Sequence, residues 1–223
     1  MKREGCFREL NSILISFVLI AGFISQISLV GSFSGGDGSL ADPYVITNCT
    51  QLNETRDDLT ANYSLGNNIN MSDAGCEDFQ SDEGFEPIGN ETNPFEGNFN
   101  GTGKIISNLF INRPSLDYVG LFGYCEQASI YDVGLENVNI TGDDNVGGLV
   151  GSLNYSTIDN FYAVGNVNGK DHVGGLVGYV TNNSNIANSN ATGNVTATGD
   201  GVGGLVGYVY EVYILIILMQ LEM

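Results

Sequence analysis

The chain has 223 residues, with seven Lys and Arg against twenty-six Asp and Glu, a single His, no Trp and thirty-one Gly, for a formal net charge of −19. So few cations in so acidic a chain exclude a protein that grips nucleic-acid phosphates or an anionic surface through Lys and Arg. Gly, Asn, Ser, Thr and Asp punctuate brief apolar runs, and long segments of 3.6-residue periodicity are missing, which predicts many short strands and turns.

At the N-terminus, Lys2, Arg3 and Arg8 precede an apolar run from Ile13 to Val30. Basic residues before an apolar stretch read as a secretory signal over 1–32, with Val30-Gly31-Ser32 offering small residues for cleavage after Ser32. The run is also nearly long enough to span a bilayer, so an uncleaved anchor is the other reading. Either way the remaining residues are expected outside the cell, secreted or at its surface, with membrane contact only through this segment.

An exported chain sets the reading of its cysteines. Beyond Cys6, the sequence holds Cys49, Cys76 and Cys125, a count that fits one disulfide and one odd thiol. Cys49 and Cys76 share the same N-terminal segment and are the favoured pair. No Cys/His spacing suits a structural zinc site. Asn-X-Ser/Thr sequons are dense, at Asn48, Asn53, Asn62, Asn70, Asn90, Asn100, Asn139, Asn154, Asn190 and Asn194, and mark the chain as a candidate glycoprotein.

Along 33–115, Leu52 to Leu59 has helical spacing, Tyr63 to Ile69 alternates like a strand, and Ile105 to Ile111 reads as another. Pro87, Pro94 and the run from Gly97 to Gly103 are expected to be turns.

Over 116–210 a repeat dominates. VGLFGY starts at Val119, VGGLVGS at Val146, and VGGLVGY at Val173 and again at Val202. Matching segments lie between them, led by Ile130, Ile158 and Ile186. Each unit is too short and too rich in glycine to bury a core alone, so successive units must stack. One coil of a β-solenoid per unit would place Ile130 on Ile158 on Ile186, and Val138 on Val167 on Val195. Leu121, Leu149, Leu176 and Leu205 would make a further apolar column. A β-sandwich is the competing all-β fold, but it does not require near-identical phrases at a fixed period.

The phrases GLFG, GLVG, GLVG and GLVG resemble the GLUG motif, the Gly-Leu-x-Gly repeat of bacterial and archaeal surface proteins, including segments of adhesins and of some surface-anchored peptidases. The upstream stretches FSGGDGSLADPYVI and PFEGNFNGTGKIISNL are similar to what precedes those repeats, so the resemblance runs from Phe33 to Tyr210. It implies a right-handed parallel β-helix, with 33–115 as cap and first coils. It also implies an adhesive or architectural role, and no catalytic residues.

The final stretch, 211–223, matches no part of the repeat. One set of codons for Val212 to Met223, read with a shift of frame, spells Ile-Tyr-Ile-Asn-Asn-Ser-Tyr-Ala-Thr-Gly-Asn, the next copy. The tail therefore reads as the product of a frameshift near Glu211, and the chain as a fragment of a longer repeat protein.

Candidate chemistry is sparse. Asp144, Asp171 and Asp200 each precede a Val-Gly-Gly phrase and should stack in one corner, where carboxylates could take calcium; solvated turn residues are the bland reading. No other cofactor is indicated. His172 sits in a turn whose other copies carry Asn145 and Gly201, so it reads as an exposed corner residue. Cys125 is expected to be packed. Tyr124, Tyr179 and Tyr208 fall at phrase ends, where they could stack on sugars or simply pack. A carbohydrate-active β-helix, a polysaccharide lyase or hydrolase working through paired carboxylates, is the alternative function. Lyase chemistry needs a cation near the developing carbanion, and Arg56, Lys104, Arg113 and Lys170 are scattered in sequence. The sequence thus favours a non-catalytic exported module for adhesion or envelope architecture, with glycans or surface proteins as partners.

Overall fold

The structure, a computed structural model, describes residues 33–210. The signal or anchor at 1–32 and the tail at 211–223 lie outside the described residues.

Short strands follow one another along the chain and pair with their counterparts one repeat away. The first is β1 (Tyr44–Ile46), followed by a helix, α1 (Cys49–Glu54), that continues as a 3-10 turn over Thr55–Asp57. Then come β2 (Tyr63–Leu65), β3 (Ile69–Asn70), β4 (Asn98–Ser107), β5 (Phe110–Asn112), β6 (Phe122–Glu126) and β7 (Ser129–Thr141). The later copies supply β8 (Val146–Gly147), β9 (Val150–Asn154), β10 (Thr157–Gly169), β11 (Val173–Gly174), β12 (Val177–Thr181), β13 (Asn185–Ala187), β14 (Asn190–Ala197), β15 (Val202–Gly203) and β16 (Val206–Tyr210).

Three parallel sheets result. One runs β1-β2-β4-β7-β10, with β13 and β14 both on β10; a second runs β8-β11-β15; the third runs β6-β9-β12-β16. Every strand pairs with the same phrase of the next unit, which is the connectivity of a parallel β-solenoid. A sandwich would instead pair neighbours in sequence as antiparallel hairpins.

The columns inside follow from this register. Tyr63, Phe99, Ile130, Ile158 and Ile186 succeed one another across β2, β4, β7, β10 and β13, all buried. The Leu column is tied by backbone bonds: Phe122 N–H donates to the Leu149 carbonyl, Leu149 to Leu176, and Leu176 to Leu205. The expected valine column holds only between Val167 and Val195. Val138 lies opposite Gly165, and Ile140 takes the place beneath Val167: the register offset is 28 residues at Ile130 and falls to 27 where it skips Asn137 in a bulge, whereas Val138 and Val167 are 29 apart. Asn137 adopts a left-handed φ of 54° there, a conformation Asn tolerates better than most residues.

The cap region departs from the expectations in four places, the first being the strand expected over 63–69, which is interrupted between β2 and β3. The helix begins at Cys49 rather than Leu52, since the Asn48 side chain accepts from Gln51 N–H at 2.9 Å and caps it. It tightens at Thr55, whose hydroxyl donates back to the Leu52 carbonyl at 2.7 Å. Residues 97–103 are largely strand, with the slack taken up by a register shift between Asn100 and Lys104. The strand expected over 105–111 breaks at Asn108, which is left-handed at φ 58°.

Candidate functional site

The corner before each Val-Gly phrase is the most chemically loaded part of the coil. Its backbone turns through a left-handed residue in every copy: Tyr118 (φ 59°), Asn145 (59°), His172 (55°) and Gly201 (73°). Each corner residue follows an Asp, so Asp117, Asp144, Asp171 and Asp200 make one column. Backbone bonds hold it, since Tyr118, Asn145 and His172 N–H donate to the carbonyls of Asp144, Asp171 and Asp200. Asp117 is a member that the sequence reading passed over, although it stands two residues before Val119 as its counterparts stand before Val146, Val173 and Val202.

The carboxylates do not form a simple ladder. Asp117, Asp143 and Asp144 bring oxygens within 4.8 Å of one another. The Lys170 ammonium lies among the same groups, 3.3 Å from Asp144, 3.4 Å from Asp171 and 4.0 Å from Asp143. Asp200 is joined differently: its N–H donates to the Asp171 carboxylate at 2.5 Å. Calcium takes six to eight oxygens, and here the Lys170 ammonium lies against two of the three clustered carboxylates, Asp143 and Asp144. The hydrogen bond to Asp144 raises the Lys170 pKa, and the Asp200 N–H holds the Asp171 carboxyl below the ordinary aspartate value.

His172 sits on the same corner, partly exposed, with Nδ1 3.0 Å from the Asn145 side-chain oxygen. Its ring lies 4.7 Å from Tyr208 and 5.5 Å from Tyr179, and those two tyrosines stack at 5.7 Å. Tyr124 belongs to the same column but is separated from them by Ser152, and packs edge-on against Tyr118 at 5.4 Å. Cys125 is fully buried, and burial pushes its thiol pKa far up, which suits packing rather than nucleophilic chemistry.

Cys49 and Cys76 are joined in a disulfide, with Cα atoms 5.9 Å apart. The ten sequon asparagines divide by surroundings. Asn48, Asn90, Asn139, Asn190 and Asn194 are exposed. Asn154 is buried, donating to Glu126 at 3.1 Å and accepting from Asn182 at 2.9 Å. Asn62 donates to the Gly38 carbonyl at 2.9 Å. Asn70 links Asp73 and Asn108, Asn53 accepts from Arg56, and Asn100 accepts from Thr102 N–H.

Two cations that are distant in sequence share one neighbourhood. Arg56 pairs with Glu86 at 3.3 Å and lies over the Phe85 ring at 5.6 Å, while Arg113 pairs with Glu83 at 2.8 Å. Burial lowers the Arg56 pKa, with Glu86 opposing and Arg113 adding to the shift. Each guanidinium already has its carboxylate; Arg56 ties the helical turn after α1, and Arg113 the turn after β5, to the loop before β4.

These coils make the chain a parallel β-solenoid of short glycine-rich repeats. A family model described as the GLUG motif matches residues 171–196, the stretch that carries the phrase from Val173. A Gly-rich membrane protein of Evansella cellulosilytica is 35% identical over 161 residues, covering 66% of this chain and 18% of that one. Halomucin of Haloquadratum walsbyi is 35% identical over 137 residues, covering 58% of this chain and 2% of that one. The chain thus spans less than a fifth of either relative. Among solved structures, one named as an immunoglobulin A1 protease of Bacteroides ovatus is similar at a TM-score of 0.50 and 25% identity, over 83% of this chain and 67% of that one. Among the described residues, no helix is long and apolar enough to cross a membrane.

Proposed function

We propose that this chain is an exported, non-catalytic surface module whose β-solenoid serves adhesion or envelope architecture as part of a longer repeat protein. The observation that carries the reading is the placement of its reactive side chains. Cys125 is buried, His172 is bonded to Asn145, Lys170 is held among Asp143, Asp144 and Asp171, and Arg56 and Arg113 are each paired. Names containing "membrane protein" and "mucin" among the relatives favour a surface location. Their much greater length favours a modular role.

Two measurements test this. Protease shaving of intact cells that make the protein should release fragments of residues 33–210; protection until lysis would sink the surface location. Incubation with neutral and acidic polysaccharides and with immunoglobulin A1 should leave all of them intact. Release of reducing or unsaturated sugar ends, or cleavage of the immunoglobulin, would overturn the non-catalytic reading.

A further inference from the structure

One face of the solenoid differs in chemistry from the rest of this acidic chain. Its outward positions come from the later halves of β7 and β10 and from β14. The register sets Asn139, Asn166 and Asn194 in one row along the axis, and Thr141, Asn168 and Thr196 in the next. The inward residues between those rows are Ile140, Val167 and Val195, which anchor the face to the core. Asn139, Asn166, Asn194 and Thr196 are exposed, and the Asn194 side-chain amide donates to Asn166 at 3.1 Å. Asn139, Asn166, Asn168, Asn194 and Thr196 line a shallow groove of about 660 Å³. Beside it Val164 stands 41% exposed, and the Tyr162 hydroxyl donates to Glu136 at 2.9 Å.

Residues 133–141, 161–169 and 190–197 contain a single Asp, Glu, Lys or Arg, namely Glu136. A face with a single carboxylate on a chain of net charge −19 does not call for a cationic partner, which the Asp corners would draw instead. An anionic partner is repelled by the molecule as a whole. A protein interface of ordinary strength is centred on buried aromatic or Arg anchors in apolar pockets, and these two rows offer none. They do offer amides and hydroxyls, groups that both donate and accept. Such a polar pair recurs over three successive coils, as Asn139 with Thr141, Asn166 with Asn168 and Asn194 with Thr196, spaced at roughly 4.8 Å, and the coil before them carries Phe110 and Asn112 in the same rows.

We infer that this face binds an uncharged, extended polysaccharide lying along the solenoid axis. Successive sugar residues would exchange hydrogen bonds with successive Asn and Thr pairs. Val164 would meet the apolar faces of the rings. This rests on the adhesive reading above and names the partner for it.

The test uses the chain from a host without N-glycosylation, so that the Asn139 and Asn194 sequons stay bare. Insoluble cellulose, insoluble chitin and soluble β-glucan are the probes, with alginate as the anionic comparison. At least one neutral probe should retain the protein, and alginate should not. Asn166→Asp with Asn168→Asp places two charges on the face and should weaken retention at least tenfold at an unchanged circular dichroism spectrum. The milder Asn168→Ala should weaken it less, and serves if the double variant folds poorly. Asn90→Gln, in a turn outside β7, β10 and β14, should leave it unchanged. Retention by none of the neutral probes, equal retention by alginate, or indifference to the Asn166 and Asn168 changes overturns the inference. Cell shaving reads the surface location independently, so a failure here leaves that reading standing.

Discussion

The last glycine of each Gly-Leu-x-Gly phrase is required by what lies against it. A Cβ on Gly178 would come within 2.5 Å of the Asn145 carbonyl carbon and the Val146 nitrogen. Gly207 meets His172 and Val173 in the same way, and Gly151 meets Tyr118 and Val119. The obstacle is backbone of the preceding corner, which cannot swing aside. Gly178→Ala should therefore cost about 1–3 kcal/mol or more, read as a lower urea midpoint. Gly204→Ala, with nothing within 4 Å of the added carbon, should stay within about 0.5 kcal/mol of wild type. Equal effects at the two positions would refute the close-approach account. At the corner itself, the Asp171 carboxyl should titrate below the ordinary aspartate value by NMR, since the Asp200 N–H favours its ionised form. A depressed folded pKa means that this contribution is present at neutral pH and is lost as the pH falls through the folded value. Lys170 has the opposite sign. Its raised pKa makes its contribution complete below the ordinary lysine value and lost as the pH rises through the raised one.

At the scale of elements, the disulfide and the asparagine ladders do different work. Cys49 and Cys76 are 27 residues apart, and closing a loop of that length in the unfolded chain is worth about 3–4 kcal/mol in the chain-entropy account. Cys49→Ser with Cys76→Ser should lower the thermal midpoint, and adding a reductant to the double variant should produce no further fall. Asn154 bridges Glu126 and Asn182 from a buried position, so Asn154→Leu should cost about 1–3 kcal/mol by stranding partners. Asn90, exposed in its turn, should tolerate Asn90→Gln with little change. Ile158 lies in mid-column with no exposure; Ile158→Ala leaves a void and should cost about 2–5 kcal/mol.

For the molecule as a whole, charge and architecture pull against each other. Stacked coils place successive Asp corners one strand spacing apart, and Lys170, paired with Asp143, Asp144 and Asp171, relieves that column. The net charge of −19 makes the folded state repel itself wherever solvent does not screen it. Raising salt from about 0.01 M to about 1 M shortens the screening length from about 30 Å to about 3 Å. The thermal midpoint should rise over that range. A flat response would show that local pairs, rather than the summed charge, govern the electrostatics.

Much of this was legible in the linear chain, because a solenoid turns sequence period into spatial register. Residues one repeat apart become neighbours, so equal phrases at Val119, Val146, Val173 and Val202 announced both the sheets and the Ile and Leu columns. The valine column shows what equal phrases alone do not settle: Val138 and Val167 are 29 residues apart, one more than Ile130 and Ile158, and the bulge at Asn137 carries them a residue further out of register. The helix start at Cys49 was missed because the Asn48 cap, a local hydrogen bond, carries no apolar period. Asp117 could have been found from its place two residues before Val119. Lys170 among three carboxylates, and Arg56 beside Arg113, could not, because those meetings depend on how corners and cap loops approach in space. The sequence by itself determined the repeat and its parallel stacking, which depend on periodicity, and its acidity, which depends on composition. Which side chains share a corner, and which face is left nearly free of charge, only the tertiary structure decided, because each bulge and left-handed turn sets the direction of everything that follows it.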